Sequence, residues 1–198
     1  MPPELLRKRD YMQGYFAIGA LVLLIGLVLF RARQLKRLDI TAFQFGKLDK
    51  KDFLIPPFVL LFFYLIIANT FQLPGAGTLI IDNTIAGWVG VALCVAAPIV
   101  FFWGMISFGK SFRVGIDMDT PGQLVISGAF AFSRNPLYLA FFMILFGILI
   151  IFPLWIFLAY FVGGLWLIDR QVNLEENALR TIYGTEYDAY CRKVKRYF

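Results

Sequence analysis

The chain has no histidine in 198 residues, which removes the side chain that most readily accepts a proton near neutral pH. Proton transfer here falls to carboxylates, tyrosines or water, and no metal site is expected. Only two cysteines occur. Cys94 falls inside an apolar run and Cys191 in a basic tail, so compartment alone argues against a disulfide between them. Charge is also scarce: 16% of residues are charged, against 60% hydrophobic and 18% aromatic, which excludes an ordinary soluble globular domain. With no internal repeat, low-complexity tract or appended soluble domain, residues 1–198 read as a single integral-membrane domain.

What is abundant is uncharged hydrocarbon, in runs at residues 15–30, 53–71, 85–108, 137–152 and 154–168. A bilayer core of roughly 30 Å takes about 20 apolar residues, or about 17 at the lower limit. The first three runs meet or approach that length. The last two hold about 15 or 16 residues each, only about 24 Å of helix. They are predicted to form a short hairpin hinged at Pro153, with Phe152 pushed toward extended geometry and Leu154 opening the returning helix. Whether that hairpin crosses fully or dips and returns, both of its ends face one side. The expected fold class is all-α: a polytopic membrane bundle of about five transmembrane helices, the last two a short hairpin, followed by cytoplasmic C-terminal helices.

Charge sets the expected orientation. The stretch 31–52 carries Arg31, Arg33, Lys36, Arg37, Lys47, Lys50 and Lys51, whereas 72–84 has no Lys or Arg and one acid, Asp82. The first loop is therefore predicted to be cytoplasmic, along with the 109–136 loop and the basic tail that includes Arg192, Lys193, Lys195 and Arg196. Five crossings then put the N-terminus outside, although Arg7, Lys8 and Arg9 oppose that placement. The first helix resembles a secretory signal, but Leu29-Phe30-Arg31 lacks a small-residue cleavage pattern and the helix is predicted to be retained. The net charge of +6 is assigned to these loops and to anionic lipid, not to nucleic acid. Leu35, Leu38, Ile40, Phe43 and Phe45, interleaved with the basic residues, mark the 31–52 connector as interfacial. The expected setting is a bacterial or archaeal inner membrane with the site on the cytoplasmic face.

The second half concentrates the polar chemistry. Residues 109–133 read as an irregular loop with a turn at Thr120-Pro121-Gly122. Then come Arg134-Asn135-Pro136-Leu137-Tyr138 and, about forty residues later, Glu175-Glu176. Ionisable groups this close to membrane hydrocarbon must find water, each other or a charged ligand. Residues 170–182 have helical spacing, closed by Gly184 at a left-handed cap; Thr185 starts a second helix with Asp188 completing a capping box. Tyr187, Tyr190, Val194 and Tyr197 form one stripe, whose tyrosines read as interface anchors. Adjacent helical positions differ by about 100°, so one of Glu175 and Glu176 is expected to touch a ligand and the other to support it. Plainer readings exist: Glu176 and Arg180 as a surface pair four residues apart, and Arg134 as a positive-inside anchor.

Taken jointly, Gly109-Lys110-Ser111-Phe112-Arg113, the stretch 124–128, Arg134-Asn135-Pro136-Leu137-Tyr138, Glu175-Glu176, and Tyr183-Gly184 with Tyr187 and Tyr190 resemble the isoprenylcysteine carboxyl methyltransferase and phospholipid methyltransferase superfamily. The resemblance covers about the C-terminal half. Family members commonly show an Arg-His-Pro-x-Tyr loop before a helical hairpin and a Glu-Glu pair after it. Asn135 departs from the His of the carboxyl methyltransferase branch, and some phospholipid methyltransferases look similar in placing Asn before Pro; the prenylcysteine substrate therefore does not carry over. The resemblance implies an enzyme that binds S-adenosylmethionine at the cytoplasmic face and methylates a lipophilic or membrane-embedded acceptor. It implies catalytic roles for Arg134, Asn135 and Tyr138, and cofactor contacts from Arg113, Gly128, Arg134, Asn135, Pro136, Tyr138, Leu139, Glu175 and Glu176. The chemistry is compatible. Either glutamate complements the ammonium or ribose hydroxyls, and Arg134 or Arg113 the carboxylate. Tyr138 suits the adenine or the sulfonium, Asn135 an adenine edge or a head group, and Pro136 a geometric role. Two rivals are a nicotinamide-dependent membrane reductase of the sterol reductase type and a non-catalytic membrane scaffold. The downstream Glu pair, and the lack of any mark of a site for a second phosphate, argue against the first; polar residues gathered at one face, not mid-span, argue against the second.

Overall fold

The computed structural model describes residues 3–36, 53–71, 73, 80, 84–108 and 122–197. Among these the regular elements are all helical: α1 (Pro3–Lys36), α2 (Ile55–Thr70), α3 (Thr84–Phe108), a 3-10 turn (Gly128–Ala131), α4 (Pro136–Ile151), α5 (Trp155–Tyr183) and α6 (Thr185–Lys193). Prolines mark most element boundaries, although Pro98 lies inside α3. Pro56 and Pro57 lie in the first turn of α2, and Pro136 opens α4, positions where the missing N–H has no helical partner to lose. Pro153 separates α4 from α5, and Leu154 beside it is extended (φ −112°, ψ 148°).

The core runs between α1, α3 and α4, through Ala17, Leu21 and Leu24, Cys94, Ala97 and Phe101, and Ala140, Ile144 and Ile148. Small residues let α3 and α4 approach closely: a Cβ on Gly147 would lie 2.8 Å from both the Cys94 Sγ and the Gly90 carbonyl oxygen. The two helices are antiparallel, because Gly90 meets Ile151 at one end and Gly104 meets Pro136 and Leu137 at the other. Replacing Gly147 by Val should therefore force the pair apart and lower stability by about 1–3 kcal/mol; the unfolding midpoint in detergent measures it, and an unchanged midpoint would mean the contact is not held.

The outer surface is apolar as well. Leu60, Ile99, Ile106, Val162 and Trp166 are each more than half exposed, a perimeter suited to hydrocarbon and not to water. Residues Met12–Gln34 and Ile85–Phe108 are long and apolar enough to cross a membrane, while Ile55–Thr70 and Pro136–Ile151 are shorter apolar helices.

Several boundaries differ from expectation. Helix α1 continues past residue 30 to Lys36, and Arg31 donates from Nη1 to Gln34 Oε1 at 2.9 Å, so the first basic residues of the connector are helical. The rest of the connector, residues 37–52, lies outside the described residues. The returning arm of the hairpin and the acidic helix are one helix of 29 residues, since nothing between Ile168 and Glu175 breaks it. Gly184 has a positive φ of 51°, as a glycine cap should, but its ψ of −122° lies outside the left-handed helical region. Gly184 itself is the N-cap of α6, Thr185 is the first helical residue, and no side-chain cap forms, so the predicted capping box is absent.

Candidate functional site

The polar turn ahead of α4 is held against α3 by a short relay. Ser107 Oγ, on the last turn of α3, donates to the Trp103 carbonyl at 2.8 Å and accepts from the Ala129 N–H at 2.9 Å. Gly128 (φ 63°) makes that contact feasible, because a Cβ there would collide with Ser107 Oγ. Phe130 packs edge-on against Phe108 with ring centroids 4.8 Å apart. Ser133 Oγ then accepts from the Asn135 N–H at 3.2 Å, and Pro136 starts α4.

Onto this turn α5 delivers Glu176, only 2% exposed. Its Oε1 accepts from Arg134 Nε at 3.2 Å, from Arg134 Nη2 at 3.0 Å and from Asn135 Nδ2 at 3.2 Å; its Oε2 accepts from Arg196 Nη2 at 2.7 Å. Burial alone would raise this carboxyl, but the hydrogen bonds and charges of Arg196 and Arg134 outweigh it and hold it below the ordinary glutamate value. The other side of the Arg134 guanidinium closes the end of α6: Nη1 donates to the carbonyls of Val194 at 2.8 Å and Cys191 at 3.3 Å. A helix C-terminus is electronegative, which suits this cation. Burial works against the charged guanidinium, but Glu176 more than compensates and its pKa is raised.

Asn135 is buried beside this pair. Its Nδ2 faces two acceptors, Glu176 Oε1 at 3.2 Å and the Arg196 carbonyl at 3.3 Å. That surrounding fixes which end of the amide faces which way. Glu175, one position earlier and about 100° around the helix, is half-buried and takes a different partner: the Tyr138 hydroxyl donates to its Oε1 at 2.6 Å, and Gln171 Nε2 donates to it at 3.3 Å. The acidic pair thus divides between two adjoining clusters, Arg134–Asn135–Glu176–Arg196 and Tyr138–Glu175–Gln171.

The remaining expected site residues fall as follows. Pro136 is buried at the first turn of α4, and the Leu139 N–H donates to the Asn135 carbonyl at 3.0 Å. Gly128 sits against Ser107. Arg113 and the rest of residues 109–121 lie outside the described residues. Two plainer readings are overturned. Arg180 pairs with Asp188 at 3.4 Å and not with Glu176, and Arg134 is no free surface anchor, its side chain being 12% exposed. Nor are Tyr187 and Tyr190 interface anchors: Tyr187 is 1% exposed, and Tyr190 is buried with its hydroxyl donating to the Phe130 carbonyl at 2.6 Å. Burial pushes both phenols well above the ordinary tyrosine value.

Sequence reasoning missed Ser133, and it counted Arg196 only as one basic residue among several. A serine two residues before an Asn-Pro step is a recognisable turn cap; no local signal distinguishes Arg196 from Arg192.

With that geometry in view, comparison with known proteins is specific. The family model for phospholipid methyltransferases matches residues 85–186, from the start of α3 through the polar turn, α4 and α5 into α6. No curated protein and no solved structure matches the chain.

Proposed function

The chain belongs to the phospholipid methyltransferase family, and from that premise we propose that it is an S-adenosylmethionine-dependent membrane enzyme methylating an acceptor carried in the lipid. The observation that supports this most is convergence. Two segments some forty residues apart in sequence are joined side chain to side chain, Arg134 and Asn135 to Glu176 and Tyr138 to Glu175.

When bound, S-adenosylmethionine supplies a methyl group activated by its sulfonium for in-line displacement, a step in which placement of the acceptor provides much of the acceleration. The protein's own groups fit such a cation. The half-buried Glu175 carboxylate is the acceptor for ammonium or ribose hydroxyls, and Tyr138, bonded to it at 2.6 Å, offers a ring face to positive charge. Glu176 is the supporting member of the pair. Arg134 directs four donor contacts into the protein, so the carboxylate end of the cofactor falls to Arg113, and Arg134 positions the turn instead.

The half-buried Glu175 favours an amine head group over a carboxylate as acceptor, whereas Glu176 adds nothing to that preference because Arg134 and Arg196 already balance it. An ammonium must lose a proton before it attacks, and without histidine the route runs to water or to Glu175. In the membrane we place five crossings, α2, α4 and the apolar half of α5 being the short ones, with the site facing the cytoplasm and the N-terminus outside.

The test is calorimetry of the full chain in lipid nanodiscs. The wild-type protein is expected to bind S-adenosylmethionine, and the Glu175→Gln, Tyr138→Phe double variant to bind it roughly tenfold or more weakly, the worth of one charged hydrogen bond. Equal affinities would remove Glu175 from the site, and no binding by the wild type would remove the cofactor assignment. Transfer of labelled methyl to an amine-headed lipid, set against a prenylated carboxylate, decides the acceptor.

A further inference from the structure

Beyond α6 the chain turns extended at Val194 (φ −120°, ψ 133°) and runs back across the polar turn. Three consecutive residues of that turn are tied to it. Ser133 Oγ donates to the Arg196 carbonyl at 3.1 Å, the Arg134 N–H to the Lys195 carbonyl at 3.0 Å, and Asn135 Nδ2 to the Arg196 carbonyl at 3.3 Å. The Arg196 guanidinium reaches Glu176 Oε2 at 2.7 Å and Asp169 Oδ1 at 3.4 Å. This strap lies outside the residues that the family model matches.

We propose that Arg196 is a positioning residue of the site, holding Glu176 ionised and oriented and, through Glu176 and its own carbonyl, turning the Asn135 amide so that Oδ1 is the atom a ligand meets. Three observations carry this. First, the two oxygens of Glu176 have different partners: Oε1 serves Arg134 and Asn135, while among the described residues Oε2 has Arg196 alone. Second, Arg196 is partly exposed, and an ordinary surface ion pair contributes little; its partner is 2% exposed, so removing the guanidinium strands a buried carboxylate oxygen. Third, both acceptors around Asn135 Nδ2 belong to this arrangement, one being Glu176 itself and the other the Arg196 backbone. A side chain that donates from Nδ2 to both presents only an acceptor outward, suited to an amino group on a cofactor base or on a head group. That last step rests on the methyltransferase reading; the positioning of Glu176 does not.

The groups facing Glu176 define the test. They are Arg134 and Asn135 from the polar turn, Tyr187 and Tyr190 from α6, with the Cys191 thiol beside those two phenols, and Arg196 and Tyr197 from the strap, with Asp169 of α5 reaching it through Arg196. The phenols are pushed up by burial and stay neutral in acid, so they do not titrate where Glu176 does, and the difference between wild type and variant in acid reads Glu176.

The experiment compares full-length wild type, Arg196→Gln and Arg196→Lys in nanodiscs, reading the thermal midpoint from pH 3 to 8 and S-adenosylmethionine affinity at pH 7. Glutamine keeps a donor and removes the charge; lysine keeps the charge. In Arg196→Gln the acid limb is expected to move up by about one pH unit, with affinity falling about tenfold; in Arg196→Lys the limb should stay near the wild-type position. An Arg196→Gln limb that coincides with wild type, or Gln and Lys variants that behave alike, would overturn the proposal. A wild type that binds no S-adenosylmethionine sinks the methyltransferase reading while the acid limb still decides the role of Arg196.

Discussion

Glu176→Gln is expected to destabilise the folded chain by about 3–5 kcal/mol, the range for removing one partner of a buried ion pair. The substitution keeps the shape, so no cavity contributes. It removes the carboxylate that balances Arg134, whose side chain is 12% exposed. It also sets an amide NH2 against donors, since Arg134 and Asn135 supply N–H groups to one oxygen and Arg196 to the other. Either orientation of the new amide places donor against donor. The sign of the pH dependence follows from the lowered carboxyl: its contribution is complete above the ordinary value of 4.5 and is lost as pH falls through the still lower folded value. Unfolding midpoints of wild type and variant should therefore stand apart by a constant amount at neutral pH and converge in strong acid. A gap that stays the same down to pH 3 would mean the loss is steric and not electrostatic.

Asn135→Asp, nearly isosteric, is the second large effect expected. The two acceptors now served by Nδ2, Glu176 Oε1 at 3.2 Å and the Arg196 carbonyl at 3.3 Å, would face an oxygen. Two carboxylates in hydrogen-bond contact cannot both remain ionised without cost, so one proton is retained and the new aspartate titrates well above its ordinary value. The sign is opposite to that of Glu176. A raised folded pKa gives stability that is full below the unfolded value and is lost as pH rises through the folded one. At pH 8 the variant should be about 2–3 kcal/mol less stable than wild type, roughly the desolvation cost of buried polar groups left unpaired, and should recover part of that near pH 5.5. Thermal midpoints across that range give the answer directly; a variant as stable as wild type at pH 8 would show that the amide donors are not needed.

These effects identify which parts of the site were legible along the chain. The Pro153 hinge and the placement of the polar turn and the acidic pair on one side follow from short-range rules, because a proline-hinged hairpin must return its ends to one side; the convergence of Arg134, Asn135 and Tyr138 on the glutamates was implied only by the family resemblance. The partition of Glu175 and Glu176 was foreseeable only as a partition. A turn of about 100° separates neighbours on a helix, yet the direction in which α5 rolls depends on its packing against α4, where Gly164 meets Leu145, and on the rings it shares with α2, where Phe62 lies 5.9 Å from Phe157 and 5.2 Å from Tyr160 by ring centroids.

Arg134 shows the opposite limit. In the sequence it is a cation beside a membrane run, as ready to hold a carboxylate ligand as to anchor a loop. Folded, it is the joint between α5, α6 and the polar turn, because the end of α6 supplies carbonyls at the same point where α5 supplies Glu176. Tyr187 and Tyr190 changed meaning for the same reason: beside basic residues they look interfacial, but α6 folds onto Phe130 and buries them.

Composition and pattern by themselves determined a helical membrane protein, its hairpin and the residue types of its polar cluster, since hydrocarbon length and proline chemistry act locally. Only the tertiary structure decided which glutamate is buried, that Arg134 is committed to the protein, and that residues 194–196 bond to the polar turn, since each of these depends on groups more than fifteen residues apart meeting where water is excluded.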